Sequence, residues 1–219
     1  MSLSLRRPLP SFVMAIALIA AALPAASQPA AAPVEGVDYA LIADGQPLAP
    51  LAGKIEVVEV FGYWCHHCAN FAPKLEAWKA KQPKDVRVTY LPLPGSPADP
   101  LARAYFAAEA KGALAKTHAA TFRAIHDDRT LPRNPTIDEL AAFHGTLGLD
   151  AAAMRQAMAS DATGAKLLPA REFALRSGVD GTPTLVINGK YRVTARTLDD
   201  TLRVAGQLVA RERAVRRGR

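Results

Sequence analysis

Cysteine is nearly missing from this chain: Cys65 and Cys68 are the only two in 219 residues. That excludes a scaffold stapled by several disulfides, which a chain long enough for a substantial core does not need. No internal repeat is present. A disordered composition is absent as well, since 50% of the residues are hydrophobic. The longest apolar run, Phe12 to Leu23, is stopped by Pro24, short of the roughly 20 residues that span a bilayer. No cysteine follows that run, so a lipid-anchored start is not supported. A basic face is missing too. The formal charge of +7 loses two cations with residues 1–27 and five more arginines with Arg211 to Arg219, leaving 20 basic against 19 acidic residues in 28–210. The excess belongs to the ends, and nucleic-acid binding is not expected.

What is present begins with Arg6 and Arg7, the apolar run and Ala25-Ala26-Ser27, which together read as a secretory signal cleaved before Gln28, with an uncleaved membrane anchor as the rival. The Ala/Pro-rich stretch 28–36 is expected to be a disordered lead-in, and the Arg-rich end a frayed, solvated helix tail. Val37 to Ala43 suits a short edge strand. Ile55 to Phe61 is almost continuously apolar and predicts a central strand. Apolar residues at Cys68, Phe71, Ala72, Leu75 and Trp78 then recur at helical spacing, with Pro73 expected to kink the axis. Val86 to Leu91 reads as an alternating second strand. From about Asp99 to Arg176 the pattern is helical, with Thr136 and Glu139 as a capping box and Asp150 as a cap. Thr184 to Asn188 reads as a strand, Gly189-Lys190 as a hairpin turn, Tyr191 to Thr194 as its partner, and Thr197 as the start of a last helix.

Some 90 residues separate the second strand from the third, far more than the dozen or so that a crossover requires. The simplest account is an α/β sheet domain with an inserted helical subdomain. Its expected boundaries are 37–97 for the first part of the sheet domain, 98–176 for the insertion and 177–219 for the second part with the basic tail.

Cys65-His66-His67-Cys68 lies between strand and helix, so the first sulfur is placed at a helix N-terminus, where a thiolate is favoured. Two cysteines at this spacing can close on each other, which is redox-motif geometry. Gly181-Thr182-Pro183-Thr184 sets a proline directly before a strand, where a cis bond keeps a turn tight. An exposed backbone edge beside it would suit an extended peptide added as a strand.

At these motifs, and over essentially the whole mature chain, the sequence resembles the periplasmic DsbA thiol-disulfide oxidoreductases of the thioredoxin fold. Cys65 to Cys68 and the run Val179 to Tyr191 carry the resemblance most specifically. It implies that Cys65 is an exposed nucleophile, Cys68 its buried partner, His67 the histidine before the second cysteine, Thr182 and Pro183 the cis-proline loop facing the disulfide, and Glu59 a buried acid beneath the site. Two positions depart from the family: His66 stands where proline is common, and Tyr90 near a position that often holds lysine. A helix N-terminus contributes at most about 2 kcal/mol toward a thiolate, so hydrogen bonds and positive charge must supply the rest, with His66 and His67 the nearest candidates.

The resemblance further implies reduced proteins or peptides as substrates in the periplasm, no cofactor, and reoxidation by a DsbB-like membrane quinone reductase. A monomer is expected, because 28–54 is too short for the dimerisation domain of the related isomerases. Reductase or isomerase activity on the same fold is the alternative within the enzyme class. A metal-carrying protein using Cys65, His66, His67 and Cys68 is the alternative outside it, although side chains this close do not easily surround one ion. Haem attachment is excluded, since Ala69 rather than histidine follows Cys68. His118, His126 and His144 belong to no motif and are expected to be ordinary surface or partly buried residues. Tyr63 and Trp64 either rim a peptide groove or pack the first helix.

Overall fold

The structure, a computed structural model, describes residues 31–218, so the expected signal segment 1–27 lies outside it. Strand β2 (Ile55–Phe61) is buried along its whole length. It is central in the sheet, pairing in parallel with β3 (Val86–Pro92) on one side and antiparallel with β4 (Thr184–Ile187) on the other. Between β2 and β3 runs helix α1 (His66–Lys79), which buries Cys68, Phe71, Ala72 and Leu75. β5 (Tyr191–Val193) pairs with β4, and the edge strand β1 (Tyr39–Leu41) pairs with β5, which gives the sheet order β1-β5-β4-β2-β3.

Six helices stand between β3 and β4: α2 (Pro100–Ala110), α3 (Leu114–His126), α4 (Ile137–Thr146), α5 (Ala151–Ala159), the single turn α6 (Asp161–Gly164) and α7 (Leu167–Arg176). Asp99 accepts from the backbone N–H groups of Leu101 and Ala102 to start α2, and Thr136 and Glu139 form the reciprocal capping box of α4. Asp150 caps α5 as its sequence suggests. The terminal helix α8 (Leu198–Arg217) opens on Thr197 and buries Val204, Ala205, Leu208 and Val209.

Four local expectations need correction. The lead-in is ordered from Val34 onward: Asp38 accepts from the Val34 N–H, and Gly36 donates to the Tyr39 carbonyl. The hairpin turn sits one residue earlier than expected, centred on Asn188-Gly189. Both residues have positive φ, 50° and 67°, the geometry that makes Asn-Gly the preferred two-residue hairpin turn. Burial in β3 does not alternate; it rises from half-buried at Val86 to buried at Tyr90 to Pro92, because the later residues lie under the helical insertion. The Arg-rich tail is not frayed. Arg213 and Arg216 both pair with Asp85, and Arg211 reaches the Tyr39 hydroxyl.

Three buried polar groups tie the far end of the sheet together. Asn188 Oδ1 accepts from the Glu56 N–H, and its amide donates to Glu212, which also accepts from Lys190 and Tyr191. Among the described residues no helix is long and apolar enough to cross a membrane.

Candidate active site

At its C-terminal end β2 delivers Phe61, Gly62 and Tyr63 into the turn that sets Cys65 as the N-cap residue of α1, with extended backbone at φ −86° and ψ 118°. Gly62 lets the Trp64 ring lie close over this turn, since a Cβ there would come within 2.6 Å of the ring. Trp64 lies over the turn with 41% of its surface exposed, while Tyr63 is buried against Phe61 and Phe122. The two aromatic residues before the cysteines therefore differ: Tyr63 packs, and Trp64 borders the site.

Both cysteines are free thiols. Cys68 is wholly buried, and Cys65 keeps only 8% of its surface, which is less open than an exposed nucleophile suggests. The reason is the loop across from it. The Thr182-Pro183 peptide bond is cis, and the Thr182 carbonyl accepts the Cys65 thiol at 3.2 Å. The Thr182 side chain favours the thiolates of both sulfurs.

The two thiols are driven apart in acidity. Cys65 is lowered to about 5, first by its hydrogen bond from Cys68, then by Thr182 and by the backbone N–H groups of Cys68 and His67, all against the opposing effect of burial. Cys68 is pushed far above an ordinary thiol, first by burial, then by its bond to Cys65 and by the charge of Glu59. His67 contributes its backbone N–H, and the exposed His66 ring is turned to Asn70 Nδ2 at 3.1 Å and to the His126 ring at 5.8 Å.

Glu59 lies beneath the sulfurs, 1% exposed, with both carboxyl oxygens lacking a hydrogen-bond partner among the described residues. Burial first, and then the charges of Glu76 and Cys65, push it up to about 8. Its neighbour across the sheet is Tyr90. No lysine enters from that strand. Instead Lys79 comes over from α1, 4.8 Å above the Tyr90 ring, and the Tyr90 hydroxyl donates to Glu76.

Sequence reasoning missed the layer behind this. His118 is 7% exposed, bonds the Tyr63 hydroxyl through Nδ1 at 2.9 Å, and stacks 4.8 Å from Tyr90. Burial lowers it to about 4, so it is neutral near pH 7. His126 Nε2 donates to the Tyr63 carbonyl at 2.7 Å. The available signal was spacing: His118, Phe122 and His126 recur every four residues and so share one face of α3. Among the described residues no group of histidine, cysteine and carboxylate side chains is arranged to hold a metal ion.

Comparison with known proteins bears on this arrangement directly. Residues 95–205 match the family described as the DsbA-like thioredoxin domain. The thiol:disulfide interchange protein DsbA of Pseudomonas syringae pv. tomato is 35% identical over 211 residues, 93% of this chain and 96% of that protein. That of Azotobacter vinelandii is 37% identical over 166 residues, 74% of this chain and 77% of its own. The crystal structure of the oxidoreductase DsbA from Xylella fastidiosa superposes with a TM-score of 0.81 at 47% identity, covering 84% of this chain and all of that one. This chain, with its helical insertion in a thioredoxin-type sheet, belongs to the DsbA family.

Proposed function

We propose that this thiol:disulfide oxidoreductase runs in the oxidising direction, donating a Cys65–Cys68 disulfide to reduced, newly secreted polypeptides in the periplasm. The observation that carries the direction is the opposed acidity of the two sulfurs. A thiolate stabilised only when the pair is reduced makes the disulfide the less stable form and hence the oxidant.

A substrate thiolate attacks Cys65 Sγ, the Cys65–Cys68 bond breaks, and Cys68 leaves with the electron pair. A second substrate thiolate attacks the substrate sulfur of the mixed disulfide, and Cys65 leaves as its stabilised thiolate. The substrate loses two electrons, which the cysteine pair gains. Cys68 is a poor thiolate and needs a proton as it departs. Glu59, held near 8, is protonated at neutral pH and is the group we assign to supply it. Thr182 and Pro183 would receive the substrate backbone beside the sulfurs, and His67 would act through its N–H. Reoxidation falls to a DsbB-like membrane quinone reductase, the protein acts as a monomer, and the division of the chain into sheet domain and helical insertion is part of the same reading.

The reduction potential of the Cys65–Cys68 pair tests the direction. A value well above thioredoxin's, about −270 mV, is expected. A value at or below thioredoxin's would make the chain a reductase and overturn the proposal.

A further inference from the structure

Beside His66 is a hollow of about 460 Å³, whose wall includes His66, His126, Arg129, Leu131, Pro132 and Arg133. It starts at His66, the residue directly after the candidate nucleophile, and ends on the loop following α3. Its polar lining is entirely cationic or imidazole in type. Asp127 lines a separate cleft together with His118, Phe122 and Arg123 of α3, and Asp128 does not line this hollow.

The loop is built rather than loose. The Leu131 N–H donates to the Ala124 carbonyl, and the Leu131 side chain is buried. Arg129 takes a φ of 55°, a left-handed conformation that a long side chain adopts only when its surroundings require it. The guanidinium groups of Arg129 and Arg133 form no ion pair among the described residues. Arg87, Arg155, Arg192, Arg203, Arg213 and Arg216 have acidic partners; of the described arginines that have none, Arg129 and Arg133 are the pair that line this hollow. Two planar forks lining one hollow with His66 are suited to a carboxylate.

We propose that this hollow is a subsite for an acidic side chain of the substrate polypeptide, an Asp or Glu close to the cysteine being oxidised. The assignment rests on the disulfide-exchange reading of Cys65. The substrate is already held at its cysteine, so a neighbouring carboxylate reaches the two arginines without an independent binding event. Arg129 and Arg133 are thus specificity-determining residues. They attract one class of sequence around the reactive thiol and disfavour lysine- or arginine-flanked cysteines.

The test uses the oxidised protein and two dithiol peptides that differ only in Glu or Gln beside the attacking cysteine. Exchange is followed by stopped-flow tryptophan fluorescence, with Trp64 as a reporter. Each rate is divided by that peptide's rate with a small neutral disulfide, which removes the effect of the carboxylate on the peptide's own thiol. At about 10 mM salt the Glu peptide should react about three to ten times faster than the Gln peptide, and the ratio should fall toward one at about 0.5 M. Arg129→Gln with Arg133→Gln should bring the low-salt ratio to about one. Arg133→Gln alone, which leaves the strained Arg129 position untouched, should lower it part of the way. A ratio of one in the unmutated protein, or a ratio unchanged in both variants, overturns the subsite while exchange with both peptides leaves the redox reading standing. Failure to oxidise either peptide overturns the redox reading itself.

Discussion

At Cys65 hydrogen bonding outweighs burial, whereas at Cys68 burial prevails, and each thiol has its own pH consequence. The folded acidity of Cys65, about 5, is depressed below that of an unfolded thiol near 8.5. Its contribution to stability is therefore present above the unfolded value and lost as pH falls through about 5. It exists only in the dithiol form. The reduced protein should accordingly unfold at higher urea than the oxidised protein at pH 8, with the two midpoints converging near pH 5. Alkylation of Cys65 by iodoacetamide should follow a titration centred near pH 5, and a midpoint above pH 8 would remove the basis for a strong oxidant. Cys68→Ser should accumulate mixed disulfides through Cys65, visible by mass spectrometry, whereas trapping through Cys68 in the reciprocal Cys65→Ser variant would reverse the assigned roles. Glu59 behaves with the opposite sign. Its folded value, near 8, is raised above the ordinary carboxyl at 4.5, so ionising it destabilises the fold progressively from about pH 4.5 to 8. Glu59→Gln should gain roughly 2 to 5 kcal/mol over the parent at pH 8.5 and little at pH 4.5. It should also slow release of Cys68, a kinetic effect that a purely structural carboxyl would not produce.

Among the elements, the hairpin and the caps allow the most local test. At Gly189 the positive φ coincides with a close approach, since a Cβ would run into the Gln46 backbone. Gly189→Ala should therefore destabilise by more than about 2 kcal/mol, because neither the turn nor the facing loop can yield cheaply. Thr136→Ala removes only a capping box on an exposed helix start and should cost about 1 kcal/mol. Denaturant midpoints distinguish the two. Elements were also where the sequence was most legible. The buried strand at Ile55–Phe61, the helix after Cys65, the capped helices of the insertion and the terminal strand pair all follow from periodicity and caps. The cis-proline loop followed from its resemblance to the family. What could not be read were contacts made across the sheet and between distant helices. His118 acquires its place only when α3 packs over Tyr63 and Tyr90, and the substitution of Lys79 for a strand lysine depends on where α1 passes. The hairpin turn was misplaced by one residue for a simpler reason, as Asn188 prolongs the polar-to-apolar pattern of its strand while its backbone has already turned.

Over the whole molecule, the charged C-terminus is the feature for which composition was least informative. Counting arginines suggested a solvated tail, yet Arg213 and Arg216 converge on Asp85, holding it down to about 2, and Glu212 collects Asn188, Lys190 and Tyr191 in a buried site. Removing residues 211–219 should leave the Asn188 amide and Tyr191 hydroxyl without an acceptor and lower stability by at least about 2 kcal/mol, measured as a drop in urea midpoint. The carboxyls of Asp85 and Glu212 are both held below their ordinary values. Their contribution is present above about pH 4.5 and disappears as pH falls through the folded values, so the truncated protein should lose the part of its acid sensitivity that these pairs supply.

The same contacts set an order of events during synthesis. The Glu56–Asn188 bond spans 132 residues, the Arg213–Asp85 pair 128, and the Arg211–Tyr39 bond 172. β2 has an open edge until β4 arrives, and β1 has no partner until β5 does. A chain emerging N-terminus first therefore cannot close its sheet until nearly the last residues have been made. Until β4 arrives one edge of β2 has no partner, so the topology that builds the active site also postpones completion of the sheet that carries it.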